Sequence, residues 1–316
     1  MLQKKTVQKT HIFITGANGF VGRHLLRMLI ARKIRVSIAV RSGPEQNLPF
    51  LESYKVDLTD KIKVFDLINF LKPDYVIHLA AKKNRNNNLE SFGNDYNANF
   101  LMALNLINAC RNLLNLKRFV FLGSCDEYGF GPRPYSEGQN EFPSNAYGLS
   151  KLSISKLLLS LYHTDLFPSI VLRASIIYGP EQNDEMFLPS LIHSLLSDKD
   201  FQMTLGEQFR DFVYINDVIN AIIKVLSADE RVNGKIINIG FGVSHKINHI
   251  AEMTANLIAP TALRRLKFGE VEYRPNEIMD YSLKISLASD LLGWNPKVNI
   301  EEGIRKTVNH LKKSNE

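Results

Sequence analysis

Short apolar runs alternate with longer segments of helical character along the chain as far as Gly179. The runs are HIFIT, RVSIAV, YVIHLA, RFVFLG and SIVLRAS, and they are rich in β-branched residues. Nearly continuous apolar runs of this length are typical of strands that are buried on both faces of a sheet. The alternation therefore predicts an α/β fold with a doubly wound parallel sheet and helices on both of its faces.

Composition narrows the class of protein. Hydrophobic residues make up 45% of the chain and charged residues 22%, as in ordinary globular proteins. Two cysteines, Cys110 and Cys125, supply no disulfide framework, and no run reaches the length of a membrane span, so we expect a cytoplasmic protein. The net charge is +7, and the basic residues are scattered along the chain, so nucleic acid is the less favoured partner. A basic cleft for a small diphosphate ligand would also account for this charge.

The stretch TGANGFVG places Gly16, Gly19 and Gly22 at GxxGxxG spacing between the first apolar run and a helical segment. Glycine permits a tight turn and lets the backbone approach a pyrophosphate, while the helix N-terminus offers unpaired N–H groups. Because a strand precedes the turn and a helix follows it, the pattern predicts a dinucleotide-binding site. Phe20 and Val21, within the turn, belong to the predicted site.

The residue after the second strand of such a fold selects the dinucleotide. An acid would bind the ribose 2′-hydroxyl of NAD, whereas an arginine would accommodate the 2′-phosphate of NADP. The stretch SIAVRSG carries Arg41 and no acid, so the sequence predicts NADP, with NAD as the alternative. Asp57 ends a probable third strand, where it either accepts a hydrogen bond from the adenine amine or caps the next helix. Leu58 follows it and belongs to the predicted cofactor site.

After Gly179 the strand-like runs become shorter and the segments between them more polar. We therefore expect a smaller, partly discontinuous C-terminal lobe that binds the substrate. Residues 1–178 and 212–243 form the predicted dinucleotide-binding domain, and residues 179–211 and 244–316 form the predicted substrate domain.

Tyr147 and Lys151 lie four residues apart in NAYGLSK, a spacing that puts both side chains on one face of a helix. An ammonium group beside a phenol lowers the phenol's pKa from its usual value of about 10. Such a tyrosine can exchange a proton with a substrate oxygen while a hydride moves to or from a nicotinamide. The pair alone occurs by chance, but Ser124 precedes it at the end of a strand in a chain with a dinucleotide turn.

Ser124, Tyr147 and Lys151 together resemble the catalytic triad of the extended short-chain dehydrogenase/reductase family, whose Rossmann-fold members are nucleotide-sugar epimerases, dehydratases and reductases. The resemblance covers nearly the whole chain, and its motifs follow the family's order: TGANGFVG, HLAA, YGLSK, YGP, RDFVYINDV and LGWNP. It implies that the substrate is a nucleotide-diphosphate sugar.

The resemblance also implies roles for residues outside the triad. Asn99 would hold a catalytic-site water and the lysine, Asp126 would contact the substrate, and Arg210 and Arg274 would bind its diphosphate. The segment Asn97 to Leu114 would pair with the Tyr147 helix across a two-fold axis, which implies a homodimer. From the scattered charge and the absence of a membrane-length run we expect no nucleic-acid or membrane partner. The cofactor site would further include these residues: Leu79, Ala80, Ala81, Tyr147 and Lys151.

The stretch GSCDEYG bears on the reaction. Family dehydratases carry acids at the one or two positions after the serine or threonine, and Cys125 and Asp126 occupy those positions here, with Glu127 one place later. A thiol is a poor general acid, and a displacement of one residue near a strand end turns a side chain to the other face. The pattern therefore favours an NADPH-dependent reductase that acts on the C4 ketone of an NDP-4-keto-6-deoxyhexose, most similar in motif to GDP-4-keto-6-deoxymannose reductase.

Other functions stay open at this point. An NAD-dependent nucleotide-sugar 4-epimerase or a 4,6-dehydratase is the main alternative, and Ile176, where many relatives carry asparagine, leaves the sugar undefined. A non-catalytic protein that only senses the cofactor would lack a member of the triad, yet all three are present. His245 and His249 lie four residues apart without a suitably spaced third ligand, so we expect no metal site.

Overall fold

The computed structural model describes residues 10–42, 47–82 and 89–315. Its strands are β1 (His11–Thr15), β2 (Arg35–Val40), β3 (Asn47–Leu48), β4 (Leu51–Lys55), β5 (Tyr75–His78), β6 (Arg118–Ser124), β7 (Ser169–Ala174), β8 (Ile176–Tyr178), β9 (Phe201–Met203), β10 (Phe209–Tyr214), β11 (Lys235–Ile239), β12 (Ser244–Lys246), β13 (Leu266–Phe268) and β14 (Asp280–Tyr281). Its α-helices are α1 (Phe20–Ala31), α2 (Lys61–Leu71), α3 (Leu89–Cys110), α4 (Ala146–Asp165), α5 (Phe187–Leu196), α6 (Ile215–Ser227), α7 (Ile247–Ile258), α8 (Ser286–Leu292) and α9 (Ile300–Asn315).

The large sheet has eight strands in the order β11-β7-β6-β5-β1-β2-β4-β3. β1 pairs in parallel with β2 and β5, and β4 and β6 extend the parallel pairing on either side. The two-residue β3 at the edge of this sheet is antiparallel to its neighbour, β4. The predicted α/β fold with a doubly wound parallel sheet is therefore confirmed. The chain order reverses at β1, which is the kind of position where open α/β sheets bind their ligands.

The chain divides into two compact units. The first consists of the described part of Met1–Leu122 with Asn145–Val171 and Asp229–Lys235. The second consists of Gly123–Ser144, Leu172–Ala228 and the described part of Ile236–Glu316. The two units are defined by the compactness of the chain, whereas the predicted domains are defined by the ligand that each would bind. The predicted domain boundaries therefore stay a prediction.

In the first unit the central strands β1 and β5 are almost entirely buried. All five residues of β1 are buried, and so are Val76, Ile77 and His78 of β5. α2 begins at a cap, because the Asp60 side chain accepts a hydrogen bond of 3.1 Å from the Lys63 amide. Three residues of α2 that lie on one face of the helix are buried: Val64, Ile68 and Leu71. Burial of such apolar side chains is the main favourable contribution to the stability of the unit.

The second unit contains a small sheet of β12, β10 and β14, with β8 paired to β10, and the separate pair β13–β9. Its C-terminal LGWNP stretch is attached to α6 through Asp217. The buried Trp294 donates its indole N–H to the Asp217 carbonyl at 3.0 Å, and the Asp217 carboxylate accepts the amides of Lys297 and Val298, both at 3.0 Å. Burial raises the pKa of Asp217, although these two amides oppose the shift.

Among the helices of the described residues, none is long and apolar enough to cross a bilayer. The predicted cytoplasmic location stays a prediction.

Candidate active site

The glycine turn between β1 and α1 is packed too tightly for side chains. Gly16 has φ = +72°, and a Cβ there would lie 2.6 Å from the Ala80 amide nitrogen. A Cβ on Gly22 would lie 2.2 Å from the Gly16 carbonyl oxygen. The turn is closed by a hydrogen bond of 3.0 Å from the Gly19 amide to the same carbonyl. The two outer glycines are therefore required by the conformation of the backbone and by its close approach to its neighbours.

The N-terminus of α1 can receive an anion. Gly19 is its N-cap and brings no side-chain cap, and the first turn carries no acidic residue. The amides of this first turn, including those of Phe20 and Val21, point away from the helix without intrahelical acceptors. Together with the helix dipole they suit the pyrophosphate of a dinucleotide. The glycine turn therefore fits an NAD-type cofactor.

The HLAA stretch is held against this turn by Thr15. The Thr15 hydroxyl lies 2.7 Å from Nδ1 of His78 and accepts the Ala80 amide at 3.4 Å, while its carbonyl accepts the Leu79 amide at 3.2 Å. His78 is fully buried, and burial and then the charge of Lys151 lower its pKa to about 3, so its ring is neutral. Sequence analysis missed Thr15 and His78. The signal was a polar residue at the end of each of two buried strands.

The predicted residues after β2 and β4 are exposed or engaged locally. Arg41, which follows β2, is exposed. Ala81, the last residue of the HLAA stretch, is exposed as well. The Asp57 carboxylate accepts the amide and the hydroxyl of Thr59, at 2.9 and 2.8 Å. These hydrogen bonds, with a smaller contribution from Arg41, lower the pKa of Asp57. Leu58 is buried and its carbonyl accepts the Asn105 side chain at 3.0 Å.

The alternative role for Asp57 as a helix cap is wrong. The cap of α2 is Asp60, three residues further on. Asp57 instead closes an Asx-type turn on Thr59, because a short carboxylate side chain readily binds the amide two residues ahead of it.

Tyr147 and Lys151 lie together on α4, as their spacing predicts. Asn145 caps this helix by accepting the Gly148 amide at 2.8 Å. The Lys151 ammonium is buried, donates to the Leu122 carbonyl at 2.7 Å and lies 5.7 Å from the centre of the Tyr147 ring. Tyr147 is half-buried. A fixed cation beside a partly accessible phenol is the arrangement that proton transfer by a tyrosine requires.

Asn99 of α3 is buried and connects a loop to α4. Its side-chain oxygen accepts the Lys82 amide at 2.7 Å, and its NH₂ group donates to the Lys82 carbonyl at 2.9 Å and to the Ser150 hydroxyl at 3.1 Å. Asn99 therefore contacts the hydroxyl of Ser150, the residue before Lys151. Its predicted hold on the lysine and on a catalytic water stays a prediction. The polar run that follows Lys82 lies outside the described residues.

Ser124, in the second unit, caps a single 3₁₀ turn that spans Cys125–Glu127. The Ser124 hydroxyl accepts the Asp126 amide at 3.2 Å and lies 3.1 Å from the Asp126 carboxylate, to which it can donate. The Ser124 amide donates to the Glu127 carboxylate at 2.9 Å, which completes a capping box. The turn therefore orients both the backbone and the hydroxyl of Ser124.

Glu127 is fully buried and bound to a buried arginine. Arg173 donates from Nε to Glu127 at 2.7 Å and from Nη2 to Glu141 at 2.9 Å. The Arg173 guanidinium also lies 4.5 Å from the centre of the Tyr128 ring. Burial would lower the pKa of Arg173, but Glu127 and Tyr128 raise it above its ordinary value. Both oxygens of Glu127 are thus engaged, one by Ser124 and one by Arg173.

The other two residues of the turn differ in access. Cys125 is buried in an apolar cluster that also contains Tyr128, Tyr135 and Leu283. Asp126 is only half-buried. Within the turn Cys125–Glu127, Asp126 is therefore the acid that a substrate can reach.

The two arginines predicted to bind a diphosphate differ in burial. Arg210 of β10 is buried, forms an ion pair with Glu277 and lies 4.8 Å from the centre of the Tyr281 ring. Arg274 is exposed, and its carbonyl accepts the Glu277 amide at 3.1 Å. Glu277 thus connects the two arginines. Sequence analysis missed Glu277, although it lies only three residues after Arg274. The residue before it, Asn276, has φ = +58°.

A family model decides the assignment. The model for the NAD-dependent epimerase/dehydratase family matches residues 12–240, which is more than half of the chain. The chain belongs to this family. The predicted resemblance to the epimerases and dehydratases of nucleotide sugars is therefore confirmed at the level of the family.

Relatives of this NAD-dependent epimerase/dehydratase family member include both epimerases and dehydratases. It is 29% identical to a putative UDP-glucose 4-epimerase of Methanocaldococcus jannaschii, over 96% of this chain and 99% of the relative. It is 28% identical to a dTDP-D-glucose 4,6-dehydratase of Mus musculus, over 96% of this chain and 89% of the relative. These relatives favour the epimerase or dehydratase alternative over the predicted reductase.

Solved structures of the family are also similar. The crystal structure of UDP-glucose 4-epimerase from Thermotoga maritima with UDP-glucose has a TM-score of 0.88 and 25% identity, over 97% of this chain and all of that one. UDP-glucuronic acid 4-epimerase from Bacillus cereus, in complex with UDP-glucuronic acid and NAD, has a TM-score of 0.84 and 26% identity, over 96% and 100% of the two chains. These structures share the α/β fold with its parallel sheet.

Proposed function

We propose that the protein is an NAD-dependent 4-epimerase of a UDP-hexose. The observation that carries this proposal is the buried ion pair between Glu127 and Arg173, at 2.7 Å. It removes Glu127 from acid–base chemistry and leaves Asp126 as the accessible acid of the turn after Ser124. The UDP-sugar 4-epimerases with similar sequence and structure supply the substrate class.

A 4,6-dehydratase makes greater demands on this turn. Water elimination needs a base for the C5 proton and an acid for the leaving hydroxyl, in addition to proton transfer at C4. Cys125 is a buried thiol, and Glu127 is engaged by Arg173. The turn therefore offers one available carboxylate, Asp126, for the two roles of base at C5 and acid for the leaving hydroxyl. Epimerisation at C4 needs proton transfer at one oxygen only. The contents of the turn therefore support an epimerase over a dehydratase.

The residues of this chain have separate tasks in the proposed reaction. NAD, when bound, supplies a hydride acceptor and donor. Tyr147 removes the proton of the C4 hydroxyl and returns it after the 4-keto sugar has presented its other face. Lys151 stabilises the phenolate of Tyr147 through its positive charge, and Ser124, as the family resemblance implies, donates a hydrogen bond to the sugar. Arg210 and Arg274 would bind the diphosphate, since arginine suits phosphate oxygens.

Incubation with UDP-hexoses in D₂O tests the proposal. We expect interconversion of the two C4 epimers without deuterium at C4 or C5, because the same hydride returns to the sugar. Asp126→Asn should lower the rate by less than about 10-fold, because this carboxylate is not the group that transfers the proton at C4.

Two outcomes would refute the epimerase. A dehydratase would release a 4-keto-6-deoxy sugar that carries deuterium at C5, and Asp126→Asn would abolish its formation. The reductase predicted from GSCDEYG would leave UDP-hexoses unchanged and would consume NADPH with an NDP-4-keto-6-deoxyhexose.

The choice of dinucleotide is tested separately. We propose NAD, because a reaction that returns its hydride needs no external reductant, whereas Arg41 predicts NADP. If Arg41 binds a 2′-phosphate, Arg41→Asp should raise the Kd of NADP at least about 10-fold more than that of NAD, since it replaces attraction with repulsion. Lys61→Asp makes the same charge change at an exposed position of α2 and serves as the control. Equal effects on both dinucleotides would show that Arg41 does not contact the 2′ position.

The predicted homodimer also remains a proposal. α3 and α4 are the helices through which the resemblance implies that two copies would pair.

A further inference from the structure

The pair of Glu127 and Arg173 calls for an explanation beyond stability. Both side chains have no exposed surface. Removing a carboxylate and a guanidinium from water carries a large desolvation penalty, which their attraction offsets only with very good geometry. A protein with apolar side chains of similar volume at these positions is often as stable. A buried ion pair is thus weak grounds for a purely stabilising role. The groups that this pair orients are the more informative observation.

The hydrogen bonds of Glu127 lead directly to Ser124. One carboxylate oxygen accepts the Ser124 amide at 2.9 Å, and the other accepts Nε of Arg173 at 2.7 Å. Arg173 is itself held by Glu141 at 2.9 Å and by the face of the Tyr128 ring. The position of Ser124 at the end of β6 is therefore set by a rigid, buried side chain and not by the turn alone.

The same turn determines where the Ser124 hydroxyl lies. With its amide bound to Glu127, Ser124 has extended backbone angles, φ = −147° and ψ = 150°, and its hydroxyl accepts the Asp126 amide at 3.2 Å. Loss of the anchor on the Ser124 amide would free the residue to rotate. A displacement of the order of 1 Å at a reacting group can lower a rate about 100-fold.

We propose that Glu127, held by Arg173, is a positioning residue that sets the Ser124 hydroxyl for the substrate. The inference rests on the proposed function, in which Ser124 contacts the sugar oxygen. Glu127 transfers no proton in this scheme, because both of its oxygens already accept hydrogen bonds. It acts only through Ser124, which makes its effect separable from that of a merely structural ion pair.

Glu127→Gln is the informative variant, and Glu141→Gln is its matched control. Both variants remove a negative charge that is paired with Arg173, and Glu127 is the one whose carboxylate accepts the Ser124 amide. The glutamine side chain in Glu127→Gln has one oxygen and one NH₂ group. Either the Ser124 amide or Arg173 Nε therefore faces an NH₂ group and loses its hydrogen-bond acceptor. We expect kcat to fall about 10- to 100-fold with the KM for the UDP-hexose within about 3-fold, whereas Glu141→Gln should stay within about 3-fold in both.

A double-mutant cycle with Ser124→Ala decides whether Glu127 acts through the serine. If it does, Glu127→Gln should lower kcat by less than about 2-fold in the Ser124→Ala background, since no hydroxyl remains to be positioned. A loss in that background as large as in the wild type would overturn the proposal. Equal losses in Glu127→Gln and Glu141→Gln would overturn it as well. If Glu127→Gln does not fold, Arg173→Lys takes its place. This variant keeps the buried positive charge but removes the guanidinium that binds Glu127 through Nε and Glu141 through Nη2.

A readout that needs no turnover separates this proposal from the proposed function. Hydrogen–deuterium exchange of the peptide that contains Ser124 should be faster in Glu127→Gln than in the wild type and unchanged in Glu141→Gln. An enzyme that turns over no UDP-hexose but shows this exchange pattern would refute the epimerase alone. Unchanged exchange in Glu127→Gln would refute the positioning role.

Discussion

Tyr147→Phe should lower kcat of the proposed epimerase by about 10²- to 10⁴-fold, the usual contribution of a positioned acid–base group. The phenol is the group on α4 that can exchange a proton with the C4 hydroxyl, and Phe retains the ring while it removes that proton. Lys151 donates to the Leu122 carbonyl at 2.7 Å and would stay in place, so the dinucleotide should still bind. The measurement is the rate of epimer interconversion, with the Kd of NAD determined in parallel.

Tyr162→Phe is the matched control for this variant. Tyr162 lies on the same helix, and its ring packs 5.8 Å from the ring of His163 at the other end of α4. We expect its kcat to remain within about 2-fold of the wild type, as for ordinary substitutions away from the reacting groups. Wild-type turnover in Tyr147→Phe would contradict the assignment of the proton donor, and so would a comparable loss in Tyr162→Phe.

Gly22→Ala should greatly weaken dinucleotide binding. The added Cβ would lie 2.2 Å from the Gly16 carbonyl oxygen and 2.6 Å from the Ala17 Cα, and both atoms belong to the backbone of the turn. Because backbone atoms cannot move aside as a flexible side chain can, the turn must open and α1 must shift. We expect the Kd of NAD to rise at least about 100-fold, and the melting temperature to fall, since overpacking costs about 1–3 kcal/mol.

Gly93→Ala provides the control for the glycine prediction. Gly93 lies in α3, and among the described residues a Cβ there would meet no atom within 4 Å outside the neighbouring backbone of its own helix. Alanine in a helix is more favourable than glycine by up to about 1 kcal/mol, so this variant should bind NAD normally and be equally or more stable. If Gly22→Ala binds NAD as well as Gly93→Ala does, the turn is not the pyrophosphate site.

The strands of the large sheet were predictable from local sequence because each is a nearly continuous apolar run. HIFIT became β1, RVSIAV became β2 and YVIHLA contains β5. A run buried on both faces has the same composition whatever its neighbours are, so pattern alone identifies it. The glycine turn was predictable for a related reason, since only glycine tolerates φ = +72° at Gly16 together with a backbone contact from Ala80.

The Arg173 ion pair was not predictable in detail, although a signal was present. SIVLRAS was recognised as a buried strand that contains an arginine, and a buried charge requires a buried partner. Which acid fulfils that role depends on contacts across long sequence separations, 46 residues for Glu127 and 32 for Glu141. Glu277 escaped notice for the same reason, because its partner Arg210 lies 67 residues away.

The sequence by itself determined the α/β class, the glycine turn and the pairing of Tyr147 with Lys151, because each depends on neighbours within a few residues. The tertiary structure alone decided what the acids of GSCDEYG can do. Burial against Arg173 makes Glu127 an anchor for Ser124, and partial exposure leaves Asp126 accessible. The physical reason is that a carboxylate's chemistry depends on its solvation and its partners, and those come from strands that are distant in the chain.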